Sequence, residues 1–149
     1  MSYVAQKDRG VKLINVYRVK EAPRILYRLL AARPKRMNIS HKCLPSFFDH
    51  CRFIRSKPYK EWYLLKKKDS FIGSIYLSLS NEIGIFLFQE FCGKELEEDT
   101  LQIFIAKRHR LRLLANVSPR NKGYVRLFQK LGFRHIQNSY CLEPKQGRQ

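Results

Sequence analysis

The chain has 149 residues, of which 30 are Lys or Arg and 12 are Asp or Glu, so its formal net charge is +18. Hydrophobic residues make up 44% and aromatic residues 13%, which excludes low-complexity disorder and predicts one domain over residues 1–149. No apolar run reaches the ~20 residues of a membrane span, and the first residues lack a signal peptide's apolar stretch. We therefore expect a cytoplasmic protein, with flexible tails at 1–10 and 144–149.

The charge is unevenly distributed along this basic chain. Residues 90–99 contain five acidic residues and a single basic one, a net charge of −4, which leaves +22 for the rest. Such an excess of positive charge indicates a polyanionic partner: nucleic acid, an acidic membrane surface or a small polyanion. The acidic stretch needs a separate explanation.

The first third of the chain predicts one strand and two helices. Apolar and polar residues alternate from Val11 to Val19, which is typical of a strand. Pro23 suits the first turn of a helix, because the residues after it have apolar side chains at helical spacing. After a polar segment, Pro45 and Ser46 are expected to open a second, short helix.

Three strand-like segments follow in close succession, over Trp62–Leu65, Phe71–Leu79 and Glu82–Phe88. The links between them are short and rich in turn-forming residues, which predicts an antiparallel meander. Apolar residues at helical spacing after Gly93 next predict a helix that begins there.

The C-terminal third predicts a buried strand over Leu111–Val117, a helix ending at Gly132 and a last strand over Phe133–Leu142. The strands at Glu82 and Leu111 are joined by a helix and should therefore be parallel. The expected fold class is α/β, with a mixed antiparallel and parallel central sheet flanked by helices.

The four cysteines do not predict a metal site. None forms a CxxC pair, and the spacing of Cys43 and Cys51, with His41 and His50 nearby, is irregular for zinc. We expect reduced thiols and no bound metal.

Two motifs carry a resemblance to a known family. Residues Asn121–Phe133 read NKGYVRLFQKLGF, which resembles the signature of the GNAT acyltransferase superfamily, an Asn followed by a helix that ends in Tyr-x-Lys-x-Gly-Phe. Residues Glu90–Glu97 read EFCGKELE and resemble that family's strand-to-helix loop, EYRGKGIG. The match extends from about Trp62 to Leu142. Within the family, the chain is similar to small bacterial members, among them sugar-nucleotide acetyltransferases, which implies an amino sugar as acceptor.

The resemblance implies an acetyl-CoA-dependent N-acetyltransferase in which an amine attacks the thioester directly. Acetyl-CoA would lie in a cleft where the strands at Glu82 and Leu111 separate, with its pantetheine arm along the first strand. Its pyrophosphate would bind the amides of the helix that follows Gly93. The implied cofactor-binding residues are Ile85, Leu87, Cys92, Gly93, Lys94, Glu95, Leu96, Glu97, Asn121, Phe128 and Lys130.

The chain departs from the family pattern at functional positions. Glu95 and Glu97 stand where the phosphate loop has glycines, and Cys92 stands where it has an Arg. Carboxylates there repel phosphates, although acids in a first helical turn also stabilise the helix dipole. Phe128 stands where many relatives carry the Tyr that protonates the leaving thiolate. The resemblance therefore leaves retained CoA binding and its loss both open.

Candidate catalytic residues follow from the same layout. Glu82 is the candidate base, with His41 and His50 as alternatives, and Tyr124 or Tyr140 replaces the missing acid. Asn121 is expected to cap its helix. The candidate substrate-binding residues are His41, Trp62 and Tyr76.

Two functions remain open from the sequence. One is N-acetyl transfer to a primary amine of a small or nucleotide-linked acceptor, which the sequence does not separate from acetylation of protein or ribosomal N-termini. The alternative is a catalytically impaired GNAT-fold protein that binds nucleic acid or another polyanion through its runs of Lys and Arg. The oligomeric state is not predicted.

Overall fold

The computed structural model describes residues 10–34, 43–93 and 95–145. Its centre is a four-stranded antiparallel sheet in which the strands lie side by side in chain order. The strands are β1 (Val11–Asn15), β2 (Tyr59–Lys67), β3 (Ser70–Ser78) and β4 (Ile83–Leu87). The predicted meander is confirmed over β2, β3 and β4.

Four helices accompany the sheet: α1 (Ala22–Ala31), α2 (Phe47–Arg55), α3 (Leu96–Ala106) and α4 (Lys122–Lys130). Short 3-10 helices cover Val16–Arg18 and Gln89–Phe91. Among the described residues, no helix has the length and apolar character needed to cross a membrane.

The helix boundaries follow from their capping residues. The Ser46 side chain accepts a hydrogen bond from the backbone N–H of Asp49 and begins α2, and Pro23 lies in the first turn of α1. At the end of α4, Gly132 adopts a φ of +95°, the left-handed conformation that stops a helix. All three boundaries were predicted from the sequence.

The two faces of the sheet pack against different helices. On one face, Ile75 and Ile85 belong to a buried cluster with Phe104 of α3 and Phe128 of α4. The other face builds a second cluster, in which the strand residues Trp62 and Leu64 join Ala22, Leu26 and Ile54 of α1 and α2. The period-2 alternation of the strands supplies side chains to both clusters, so the sheet lies between two helical layers and the predicted fold class is confirmed.

The strand predicted over Leu111–Val117 is reduced to one residue pair. Glu82 and Leu114 form a parallel bridge, as expected for segments joined by a helix. The N–H of Ile83 donates to the carbonyl of Leu114 at 2.8 Å, and the N–H of Leu114 donates to the carbonyl of Asn81 at 2.9 Å. Beyond this bridge no further ladder pairing joins the described segment to β4, so the predicted length was wrong.

The prediction of a last strand over Phe133–Leu142 was also wrong. Residues 134–145 are exposed and carry no strand assignment, including Ile136 (52% exposed), Tyr140 (92%) and Leu142 (96%). Alternating apolar residues form a strand only where a partner edge satisfies their backbone groups. No other described segment pairs with these residues.

Gly73 allows the close contact of β3 and β4, which leads to a stability prediction. A Cβ atom at Gly73 would overlap the carbonyl oxygen of Phe86 and lie 2.6 Å from Cδ2 of Leu87. We expect Gly73→Ala to lower the free energy of unfolding by about 2 kcal/mol or more, measured by urea denaturation. Gly123→Ala is the matched control, because its Cβ would lie 3.8 Å from the nearest atom and it should be neutral or slightly stabilising. Equal stability of the two variants would contradict this packing.

Candidate active site

A cavity of about 430 Å³ lies between the C-terminal end of α1, β4 and the N-terminal ends of α3 and α4. We call it the cleft. Its lining combines apolar side chains with one guanidinium, three carboxylates and a tyrosine. The lining residues are Leu29, Ala32, Arg33, Pro34, Phe86, Leu87, Gln89, Cys92, Gly93, Glu95, Glu97, Glu98, Asn121, Gly123, Tyr124 and Leu127.

Tyr124 joins α4 to β4 across the cleft. Its hydroxyl lies 3.4 Å from the carbonyl oxygen of Ile85, to which it donates a weak hydrogen bond. The Asn121 side chain accepts from the backbone N–H of Tyr124 at 3.2 Å, so the expected cap also fixes the start of this helix. Burial raises the pKa of Tyr124, and the nearby Glu97 carboxylate raises it further. The phenol therefore keeps its proton at neutral pH.

The sequence left open whether Glu95 and Glu97 face the cleft, and in the structure both line it. Glu97 is only 9% exposed, close to the Tyr124 hydroxyl and the Cys92 thiol. Partial burial raises the pKa of Cys92, and the negative charge of Glu97 raises it further, to about 11. This thiol is therefore uncharged at neutral pH. A buried carboxylate thus stands where the family pattern has a glycine.

The backbone just before α3 adopts the left-handed conformation at two residues. Gly93 has a φ of +74° and Glu95 a φ of +61°. A side chain in this left-handed conformation costs about 1 kcal/mol relative to glycine. The loop therefore holds a glutamate in a conformation that favours glycine.

One carboxylate of the first turn of α3 is neutralised by α4. The Glu98 carboxylate forms an ion pair of 2.9 Å with the ammonium of Lys130. Lys130 was predicted to contact a cofactor, and in the structure its side chain is 67% exposed and pairs with the protein's own acid.

Arg33 brings the one positive charge among the cleft-lining side chains that the structure describes. Its guanidinium stacks on the ring of Phe86, with 3.8 Å between the Cζ atom and the ring centroid. Burial lowers the pKa of Arg33, and the hydroxyls of Tyr76, Tyr59 and Tyr124 partly offset this effect. Arginine still remains charged at neutral pH, since its ordinary pKa is far above 7.

A pair of stacked tyrosines on the sheet partly offsets the effect of burial, which lowers the pKa of Arg33. The rings of Tyr59 and Tyr76 lie 3.9 Å apart and within 5° of parallel. Tyr76 in turn rests on Gly84 of β4, where any Cβ atom would overlap its ring. Glycine is therefore required at this position by a close approach and not by its backbone angles.

The remaining predicted site residues lie away from the cleft lining. Leu96 and Phe128 are buried in the core cluster, and Trp62 is buried on the opposite face of the sheet. Glu82 lies at the bridge to Leu114, and Tyr140 is 92% exposed. The remaining candidates, His41 and Lys94, fall outside the described residues.

His50, an alternative base, also lies elsewhere. It is buried against Tyr27 of α1, with ring centroids 5.3 Å apart, and burial lowers its pKa. The residues that the sequence analysis missed are Arg33 and Phe86. Arg33 belongs to the basic run Arg33–Arg36, and nothing in that run distinguishes a cleft residue from a solvated one.

Comparisons with known proteins identify the fold. No family model matches the sequence, and no curated protein matches it. Solved structures do match. An acetyltransferase from Thermus thermophilus has a TM-score of 0.67 at 20% identity, covering 87% of this chain and 90% of its own. Spermidine N-acetyltransferase from Vibrio cholerae, in complex with CoA and spermine, has a TM-score of 0.71 at 16% identity, covering 86% of this chain and 83% of its own.

A third structural neighbour is named as a GNAT superfamily member. Phosphinothricin acetyltransferase from Sinorhizobium meliloti, in complex with AcCoA, has a TM-score of 0.62 at 20% identity, covering 84% of this chain and 75% of its own. The chain therefore has the GNAT fold.

The buried carboxylate leads to a prediction about anions. Glu97→Gln should tighten the binding of inorganic pyrophosphate by about tenfold or more, because a negative charge within ~5 Å of a phosphate costs a few kcal/mol at an effective dielectric of 20. Isothermal titration measures this change. Glu90→Gln is the matched control, since Glu90 is exposed in the same acidic stretch and does not line the cleft. An equal effect of both variants would show that only the net charge matters.

Proposed function

Since the chain has the GNAT fold, we propose that it is an acetyl-CoA-dependent N-acetyltransferase that acts on a primary amine of a small or nucleotide-linked acceptor. The observation that carries the proposal is the cleft beside β4. After the Glu82–Leu114 bridge, the described part of the chain adds no further strand to β4, and the cleft lies along its C-terminal half. An extended arm with amide groups can pair with such a strand edge.

The residues present fit the thioester arm. Phe86 and Leu87 supply an apolar wall on β4, and Leu127 supplies one on α4. The carbonyl of Ile85 is satisfied by the Tyr124 hydroxyl at 3.4 Å, a long hydrogen bond that an amide N–H can replace at little cost.

The residues at the start of α3 fit the phosphates less well. The first turn carries Glu97, Glu98 and Asp99, and Glu97 is buried in the cleft wall. Helix dipole and free amides favour an anion there, but the carboxylates oppose it. We therefore assign no phosphate contact to the first turn of α3, and we expect CoA to bind mainly through its pantetheine arm.

The bound thioester supplies an activated acetyl carbonyl. The acceptor amine forms the new C–N bond to this carbonyl, the C–S bond breaks, and one proton moves from nitrogen to the protein. Glu97 is the buried carboxylate beside Tyr124, so we propose it, in preference to Glu82, as the group that takes this proton. Tyr124, which stays protonated, donates to the leaving sulfur in place of the tyrosine that Phe128 replaces.

The polyanion-binding alternative gains no specific support from the cleft. Its three carboxylates, Glu95, Glu97 and Glu98, disfavour a nucleic acid strand at this site. An amine acceptor is the better match, because a carboxylate attracts an ammonium group.

The proposed activity is tested with acetyl-CoA and a panel of primary amines, by release of free CoA thiol and detection of the acetylated product. Isothermal titration with acetyl-CoA measures binding separately. Turnover of any amine supports the proposal. A folded sample that neither binds acetyl-CoA at millimolar concentration nor releases thiol would overturn it.

The proposed acid gives a second prediction. Tyr124→Phe removes the phenolic proton donor but keeps the ring, and kcat should fall by about 10²- to 10⁴-fold. Tyr140→Phe is the control, because Tyr140 is 92% exposed and should leave kcat unchanged. Steady-state kinetics distinguishes the two. Unchanged kcat in Tyr124→Phe would remove this residue from the mechanism while leaving the proposed activity intact.

A further inference from the structure

We propose that Arg33 selects the acceptor, and that the preferred acceptor is a zwitterion: a primary amine that also carries a carboxylate or a phosphate. This inference rests on the proposed function and names the substrate class of the same cleft. It begins from a residue that the acetyl-transfer steps do not use.

The geometry holds the Arg33 guanidinium at a fixed place in the cleft wall. Phe86 holds one face of the guanidinium plane at 3.8 Å, which orients the fork of N–H donors. Burial lowers the pKa of Arg33, and three hydroxyls from three different elements partly raise it again. They belong to Tyr59 of β2, Tyr76 of β3 and Tyr124 of α4. A planar, oriented guanidinium matches the two oxygens of a carboxylate or phosphate.

The half-buried position of Arg33 strengthens its interaction with any anion in the cleft. A cation that is partly removed from water is stabilised by an anion far more than one on the surface. Tyrosines with raised pKa values supply hydroxyl dipoles but no negative charge at neutral pH. A ligand anion would add to the stabilisation that these hydroxyls provide.

The negative charge of Glu97 lies on another wall of the same cleft. Glu97 is buried beside Tyr124. Burial raises the pKa of Tyr124, Glu97 raises it further and Arg33 lowers it, so both charged groups lie near this hydroxyl. A zwitterionic acceptor would therefore direct its anionic group to Arg33 and its ammonium group to Glu97, the proposed proton acceptor. The reactive nitrogen would be held by both ends of the molecule.

A polyamine is the competing acceptor class, since the carboxylates of the cleft attract cations. A second ammonium group would then face the Arg33 guanidinium, and like charges in a partly buried site repel. A site for zwitterions should prefer an amine that carries an added anionic group, whereas a site for polyamines should prefer an amine that carries a second ammonium group. Amines of similar chain length therefore distinguish the two acceptor classes.

The experiment compares kcat/KM for butylamine, 4-aminobutanoate, 3-aminopropylphosphonate and 1,4-diaminobutane at fixed acetyl-CoA. We expect one or both anionic probes to exceed butylamine by about tenfold to a hundredfold, and Arg33→Gln to reduce that ratio to near one, mainly through KM. The better of the two probes identifies the anion as carboxylate or phosphate.

Arg28→Gln is the matched control. Arg28 lies on α1 and also stacks on an aromatic ring of the β4 region, 5.6 Å from the Phe88 centroid, but it does not line the cleft. The Arg28→Gln variant should show the same ratio of kcat/KM for the anionic probes to kcat/KM for butylamine as the unmodified protein. If Arg33→Gln lowers the thermal midpoint, Arg33→Lys, which keeps the charge but not the planar fork, provides the comparison and should give an intermediate ratio.

A binding measurement separates this inference from the proposed function. Saturation-transfer NMR detects 4-aminobutanoate and butylamine on the protein without acetyl-CoA. If no amine is acetylated but 4-aminobutanoate binds selectively and Arg33→Gln abolishes that selectivity, the proposed function fails and the anion site stands. A preference for 1,4-diaminobutane, or a ratio and selectivity that Arg33→Gln leaves unchanged, would overturn the inference.

Discussion

A single backbone bridge determines the architecture of the candidate site. Glu82 and Leu114 pair in parallel, and the described segment after Leu114 then leaves β4 without further ladder bonds. Two parallel strands that continued side by side would close a sheet and fill this space with hydrogen bonds. Because they separate, the cleft has a strand edge on one side and the start of α4 on the other. The fold therefore creates the cleft by leaving a ladder incomplete.

The charges that line the cleft differ from the charge of the chain as a whole. The overall charge of +18 belongs mostly to the surface, whereas the described residues that line the cleft include one guanidinium and three carboxylates, and Glu98 pairs with Lys130. Charges near the cleft interact in a partly desolvated medium and so outweigh the many solvated lysines, whose effect salt screens. Local placement, and not the sum over the chain, therefore sets the electrostatics of the cleft.

The sequence predicted the elements whose partners are close along the chain. The hairpins of β2, β3 and β4, the Ser46 and Asn121 caps and the Gly132 stop all depend on local chemistry, and each was confirmed. The strand predicted over Phe133–Leu142 failed because pairing requires a distant edge, which local alternation does not report. Similarly, the family motifs include Glu97 and Tyr124, which line the cleft, but nothing local distinguished Arg33 from its basic neighbours. Its position depends on Phe86, which lies more than fifty residues away.

The Tyr76 ring packs directly on the backbone of Gly84 in β4. One edge of this strand borders the space for a thioester arm, and its backbone at Gly84 is the surface on which the tyrosine pair rests. A side chain at position 84 would displace the Tyr76 ring, and with it the stacked Tyr59 ring and the environment of Arg33. The close approach at Gly84 therefore connects the strand that borders the cleft to the tyrosine pair near Arg33. A glycine without a side chain is in this sense the point at which β4 fixes the tyrosine pair.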